Sequence, residues 1–218
     1  MPVLLDRKEV HDYYTGFSTQ IAWPLFHDLH SFCNFAPHYW YAYILVNNKF
    51  ALVIAEQTTE HDYIWIHDYH LMGVGRALKE MNVHRRTGFF LHIPFPPIET
   101  FVKLPWRAPP LQFPLEYDLI GFQTMGDRRN FIYCLQRLLP GIQISGRGPV
   151  ITVTWNGRQV RVGAFAISID YEGFLRRATA PPVEKKAHDI KDRFRGQKIM
   201  LGLDRMDYTK GLKERLDS

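Results

Sequence analysis

Four short apolar runs, separated by amphipathic stretches, set the strongest limit on what this chain can fold into. They are Ile64-Trp65-Ile66, TGFFLHI at 87–93, YDLIGFQ at 117–123 and KIMLGLD at 198–204. Each reads as a buried strand. After the first, Leu71, Val74, Leu78 and Met81 recur at three- and four-residue steps, which predicts a helix. After the third, Thr124 offers an N-cap with Asp127 three residues on. Phe131, Cys134, Leu135 and Leu138 then form an apolar helix face, and Pro140-Gly141 ends it. Pro181-Pro182 opens a further helix with Val183, Ala187, Ile190 and Phe194 on one face. Strands alternating with helices predict an α/β fold on a mostly parallel sheet. VITVTW-NG-RQVRVG (150–163) reads instead as a hairpin, because Asn156-Gly157 supplies the positive-φ pair of a type I′ turn.

Composition narrows the partners. With 46% hydrophobic and 22% charged residues, the 218-residue chain can bury a sizeable core, as one large domain or one domain plus part of another. The net charge is +5, but VEKKAHDIKDRFRGQK (183–198) interleaves acids with bases. That pattern is a solvated helix face; a nucleic-acid stripe needs clustered bases, so no nucleic-acid partner is expected. The runs YWYAYILV (39–46) and FALVIA (50–55) are split by Asn47, Asn48 and Lys49. Neither reaches the roughly 20 residues of a membrane span. MPVLLDRKEV carries no secretory signal pattern. Cys33 and Cys134 sit outside any CxxC and read as free thiols, which suits the cytoplasm.

In parallel α/β sheets, ligands bind beyond the carboxyl ends of the strands. That rule selects HDYH (67–70), HIPFP (92–96) and DRMDYTKGL (204–212). The Asp68 carboxylate could accept hydrogen bonds from sugar hydroxyls, or serve as a helix N-cap. His67 and His70 have HxxH spacing, as do His27 and His30, but no third ligand follows at a recognisable spacing, so no metal site is expected. His27 and His30 are expected on the face of a surface helix. His92, followed by two prolines, is held in a rigid non-helical turn. Arg205 and Lys210, five apart after a strand, could grip a diphosphate or be surface cations beside Asp204 and Asp207. The segment is not a P-loop, and no Asp-x-Asp occurs in the chain. In YYTGFSTQIAWPLFH (13–27), Tyr14 and Trp23 could stack on a sugar or belong to the core.

Together, Tyr-Tyr-x-Gly-Phe-Ser, Trp-Pro-Leu-Phe-His, IWIHDYHL, GFFLHIPFP, DLIGFQT and DRMDYTKG resemble the trehalose-6-phosphate synthases over nearly the whole chain, most loosely at 140–180. The resemblance implies a GT-B fold of two facing Rossmann-like domains. Residues 1–180 would form a nearly complete acceptor-side domain lacking its first strand. Residues 181–218 would form the inter-domain segment and the start of the nucleotide-sugar domain. Neither the family's early Arg and Gly-Gly loop nor the acidic and Arg residues of its second domain has a counterpart, which implies a fragment. The implied activity is transfer of glucose from UDP-glucose to glucose-6-phosphate with retention, without metal or other cofactor. By motif match, Tyr14 and Asp68 would contact glucose-6-phosphate, and Trp23 and Ile93 would select its α-anomer. His92 would face the donor glucose, and Arg205 and Lys210 would hold the diphosphate. A glucosylglycerol-phosphate synthase and a non-catalytic sugar-phosphate-binding subunit are the alternatives, and the resemblance leaves room for a homo-oligomer.

Overall fold

In the computed structural model, which describes residues 1–217, the first three apolar runs do form adjacent strands. β1 (Tyr63–His67), β2 (Arg86–Leu91) and β3 (Leu119–Phe122) pair in parallel, with Ile66 opposite Phe89 and Leu91 opposite Phe122. β4 (Gln143–Ser145), β5 (Val150–Trp155) and β6 (Arg158–Ala164) complete one sheet of order β1-β2-β3-β6-β5-β4. β6 lies parallel to β3, while β5 and β4 extend the sheet antiparallel. The β5–β6 turn has Asn156 at φ 49° and Gly157 at φ 77°, as a type I′ turn requires. Among the described residues β1 pairs on one side only, with β2.

Two apolar runs that the sequence shows as separate are one 21-residue helix, α1 (Pro37–Gln57). Tyr39, Tyr43, Val46, Asn47 and Ala51 recur at helical spacing and all face the core. Asn47 is therefore not a surface break but a fully buried amide. Before α1, residues 7–26 are helical throughout. Their middle, Val10–Ala22, has the wider bonding of a π-helix, and the Trp23 amide donates to the Ser18 carbonyl five residues back. Such stretches are rare and mostly confined to single turns beside functional sites.

The helix expected across 71–81 is interrupted. A 3-10 turn, Tyr69–Leu71, comes first, and α2 (Val74–Glu80) starts after Gly73. The cause is competition for backbone groups: the carbonyls of residues 69–72 accept from distant side chains instead of helical amides. Gly75 in α2 lies so close to Tyr117 that a Cβ there would stand 2.7 Å from its ring. α3 (Met125–Leu138) forms as expected, with the Thr124 hydroxyl accepting from the Asp127 amide at 3.1 Å and Phe131, Cys134 and Leu135 buried.

Two expectations need correction. His27 and His30 do not share a helix face. The helix ends at His27, Asp28 turns the chain at φ 60°, and His30 begins a separate 3-10 turn. Each histidine has its own partner, the Trp23 carbonyl for His27 and the Lys103 ammonium for His30, both at 2.7 Å. Residues 198–204 form no strand, and Met200, Leu201 and Leu203 are exposed. A strand exists only with a ladder partner, and this run pairs with none among the described residues. By its internal contacts the chain divides into two compact units, residues 1–166 and the residues from Ile167 on. α4 (Tyr171–Ala178) packs with α5 (Pro181–Arg193) and so belongs with it. Val183 and Ile190 on α5, and Phe194 just past its end, are exposed.

The core lies wholly in the first unit. It runs from Tyr13 to Val162 and is rich in aromatic rings, with Phe95 in ring contact with Phe101, Phe122 and Phe131. No helix is long and apolar enough among the described residues to cross a membrane. Cys33 and Cys134 are free thiols, and burial pushes them up to about 11 and about 12.

Candidate functional site at the ends of β1 and β2

Because β1 and β2 are adjacent and parallel, the two segments that follow them meet. The ladder continues one step past β1, where the Asp68 amide donates to the Phe90 carbonyl at 2.7 Å. The Asp68 side chain then accepts from its neighbour Tyr69 N at 3.1 Å and from His92 N at 3.2 Å, both through Oδ1. Both bonds use the same oxygen, so Oδ2 is left for an outside donor. Asp68 does cap the Tyr69–Leu71 turn. The cap and the ligand reading are thus compatible, one for each oxygen.

Asp68 also has an abnormal backbone, φ 68° and ψ 165°. That region belongs essentially to glycine and costs a residue with a Cβ about 1–3 kcal/mol. Such strain persists only where the surroundings enforce it, and it clusters at ligand sites.

Histidines flank the carboxylate. His67 Nδ1 lies 2.8 Å from His92 Nε2 across the ends of the two strands, so one ring donates and the other accepts. Burial favours the neutral form of His67, His92 adds to this, and the Asp68 carboxylate opposes it. His70 has different neighbours. It is half-buried between Tyr69 and Tyr14, its ring centroid 5.7 Å from that of Tyr14 with the planes 15° apart. Burial lowers its pKa too, again against the pull of Asp68. The two rings of the HxxH spacing thus have different neighbours, His92 for His67 and Tyr14 and Tyr69 for His70.

Of the sequence-predicted residues, Tyr14, Asp68 and His92 come together here, Tyr14 through its stack on His70. Tyr14 is exposed on the π-helical run while its neighbour Tyr13 is buried, donating to the His70 carbonyl at 3.1 Å. Trp23 is half-buried, with its ring against His27 and Tyr69. Ile93 follows His92 directly, but its side chain turns into the core.

Arg205 and Lys210 lie in the second unit, both exposed. Between them stands Asp207, which accepts from the Thr209 amide and hydroxyl at 2.9 and 2.7 Å. Partial burial works to raise its pKa, but the Thr209 bonds and the charges of Arg205 and Lys210 together hold it low. Both cations thus act on one small region. Asp204 is engaged elsewhere, with Arg215 at 2.7 Å.

Sequence reasoning did not find Asn47, which bonds the segment after β1 from beneath. A signal existed: Asn47 is in phase with the inward residues Tyr39, Tyr43 and Ala51, and a polar residue in that phase must find partners inside.

These features define a Rossmann-type α/β unit with a carboxylate, imidazoles and an aromatic ring gathered at the carboxyl ends of adjacent parallel strands. The chain belongs to glycosyltransferase family 20, whose model matches residues 1–218. It is 38% identical to the trehalose-6-phosphate synthase of Mycobacterium sp. (strain KMS), over all of this chain and 45% of that protein. It is 40% identical to UDP-forming alpha,alpha-trehalose-phosphate synthase 1 of Arabidopsis thaliana, over 99% of this chain and 23% of that one. The E. coli trehalose-6-phosphate structure solved with UDP-2-fluoro glucose bound superposes with a TM-score of 0.87 at 34% identity, covering 97% of this chain and 46% of that one. The Burkholderia xenovorans UDP-forming synthase solved with glucose-6-phosphate gives 0.84 at 31%, over 96% and 46%. The fold is accordingly of the GT-B type. The chain spans less than half the length of the relatives it matches.

Proposed function

We propose that this chain carries the acceptor side of a retaining glucosyltransferase that joins glucose from UDP-glucose to glucose-6-phosphate, giving trehalose 6-phosphate and UDP. The observation that carries this reading is the meeting of Asp68, His92 and Tyr14 past β1 and β2. In this reading Asp68 and Tyr14 bind glucose-6-phosphate, with Trp23 and Ile93 shaping the pocket for its α-anomer. His92 faces the donor glucose. Residues 181–218 form the inter-domain segment and the start of the nucleotide-sugar domain, where Arg205 and Lys210 hold the diphosphate.

The chemistry matches these residue types. The acceptor's anomeric oxygen forms the new bond to the donor's anomeric carbon as the bond to the diphosphate breaks. The acceptor proton leaves with the departing phosphate. Negative charge grows on that phosphate, and fixed cations such as Arg205 and Lys210 lower the barrier. Two free thiols suit a reducing cytoplasm.

The test is a heteronuclear NMR titration of the 218-residue chain with glucose-6-phosphate, glycerol 3-phosphate and glucose. Glucose-6-phosphate should move the amides of Tyr14, Asp68, His70 and His92 at the lowest concentration. Tighter binding of glycerol 3-phosphate would assign a different acceptor, and no shift at these amides with any of the three would refute the reading.

A further inference from the structure

The segment from Asp68 to Gly73 is buried on one side, and between the last ladder bond at Asp68 and the start of α2 it makes only a single 3-10 turn. A buried segment of that kind needs partners for its backbone groups. Here they come from side chains far away in sequence. Tyr43 donates to the Tyr69 carbonyl at 2.8 Å. Tyr117 donates to the carbonyls of Leu71 and Met72, both at 3.2 Å. The His70 carbonyl between them receives two donors, Tyr13 at 3.1 Å and Asn47 Nδ2 at 3.1 Å. Asn47 Oδ1 accepts from the Gly73 amide at 3.0 Å, and its remaining N–H goes to the Tyr43 carbonyl at 2.8 Å.

Asn is a poor choice for a helix interior on propensity grounds, and a buried carboxamide is costly unless its donors and acceptor are engaged. The Asn47 amide is fully buried and engages both N–H groups and its oxygen. Two of the three bonds leave the helix for the segment after β1. We infer that Asn47 is a positioning residue for the ligand site: its carboxamide locks the His70 carbonyl and the Gly73 amide, and so fixes where Asp68 and His70 face the ligand.

Three features support a role beyond cohesion. Asn47 meets the segment at His70, the residue whose ring stacks on Tyr14. It shares the His70 carbonyl with Tyr13, so α1 and the π-helical run are fastened to one peptide group of the site. Two residues earlier stands Asp68, whose strained backbone persists only if its flanks are held. The ligand assigned to the site rests on the function proposed above; the clamp itself does not.

The experiment uses the 218-residue chain and reads two quantities separately. Native-state hydrogen exchange compares the Gly73 amide with Ile64 and Ile120 in the sheet, in wild type and Asn47→Ala. Gly73 should exchange at least tenfold faster in the variant while the sheet amides slow or quicken together by less. A titration with glucose-6-phosphate should show at least a tenfold loss of affinity. Val153→Ala, in the core of β5 away from the site, lowers stability by cavity formation and should leave affinity within twofold. If Asn47→Ala does not fold, Asn47→Asp serves. It keeps the acceptor for Gly73 but sets an oxygen against the His70 carbonyl, and should lose affinity with Gly73 still protected. Unchanged affinity in the folded variant, or a loss equalled by Val153→Ala, overturns the inference. Faster exchange at Gly73 in a chain whose wild type ignores glucose-6-phosphate upholds the clamp and refutes the acceptor reading instead.

Discussion

Asp68 Oδ1 accepts the backbone amide of His92 at 3.2 Å, so the carboxylate at the end of β1 is fastened to the end of β2. The bond makes the spacing of the two site segments a property of the sheet rather than of two loops. Both recorded side-chain bonds of Asp68 use this one oxygen.

The Asp68 backbone gives the first prediction. At φ 68° and ψ 165°, alanine keeps the strain and loses the side-chain bonds, whereas glycine loses the bonds and relieves the strain. Asp68→Gly should therefore be more stable than Asp68→Ala by about 1–3 kcal/mol, the reverse of their order in a helix or strand. Urea unfolding of the two variants decides it, and an alanine variant equal to or better than glycine would mean the backbone there is not strained. Both should lose the ligand. Asp68→Asn should weaken it by about 1–3 kcal/mol, the scale of a charge-assisted hydrogen bond.

Much of this site was legible because β-strands and α-helices print their periods on the sequence. The runs at 64–66, 87–93 and 117–123 named three strands, and the parallel arrangement then placed HDYH beside His92. Asn156-Gly157 fixed the hairpin through backbone sterics alone. What stayed hidden depends on tertiary partners. Asn47 interrupts an apolar run in the sequence, and only the Gly73 and His70 backbone groups beneath it explain the amide. The run 198–204 has a strand's composition, but composition does not supply a neighbouring strand. His27 and His30 have helical spacing, which Asp28 at φ 60° defeats.

Tyr117 supplies the second prediction. Its hydroxyl is buried, donates to the Leu71 and Met72 carbonyls, and accepts the Gly75 amide at 2.9 Å. Tyr117→Phe keeps the ring packed over Gly75 but strips that amide of its partner. An orphaned buried donor costs about 1–3 kcal/mol. Chemical denaturation should show a loss of that size with an unchanged m-value, and a loss under about 0.5 kcal/mol would indicate that water replaces the hydroxyl.

The third prediction concerns pH. Burial is the first cause that lowers the pKa of both His67 and His70 in the folded chain. Unfolded, both titrate near 6.5. As pH falls, the unfolded chain takes up protons first, so the folded state loses ground. The stabilisation from these neutral rings is complete above about pH 6.5 and is lost as pH falls through the lower folded values. Carboxylates titrate near pH 4 and leave this window to the histidines. The thermal midpoint should drop between roughly pH 7.5 and 5.5, and drop less in His67→Gln/His70→Gln. An equal drop in the double variant would assign the effect to other groups.

The last prediction is that residues 1–166 fold without the rest of the chain. All six strands and every residue of the hydrophobic core fall within them. Past Ala166 the picture reverses: Gly173 is buried, but no hydrophobic side chain among residues 167–217 is. Ile169, Tyr171, Phe174, Met200, Leu201 and Met206 are all exposed. At roughly 25 cal/mol for each Å² of apolar surface removed from water, stability comes from what is covered, and here that lies almost wholly in the first unit. The ion pairs of the second unit, such as Arg195 with Asp192, are exposed and contribute about 0–1 kcal/mol each. Limited trypsin digestion should therefore cut first at Arg176, Arg177, Lys185 or Lys186, on exposed helices with no core behind them. A fragment ending near residue 176 should resist further cleavage. A recombinant chain of residues 1–166 should then melt cooperatively within a few degrees of the 218-residue chain. Non-cooperative melting, or first cuts within α1 or α3, would show that the second unit holds the first together.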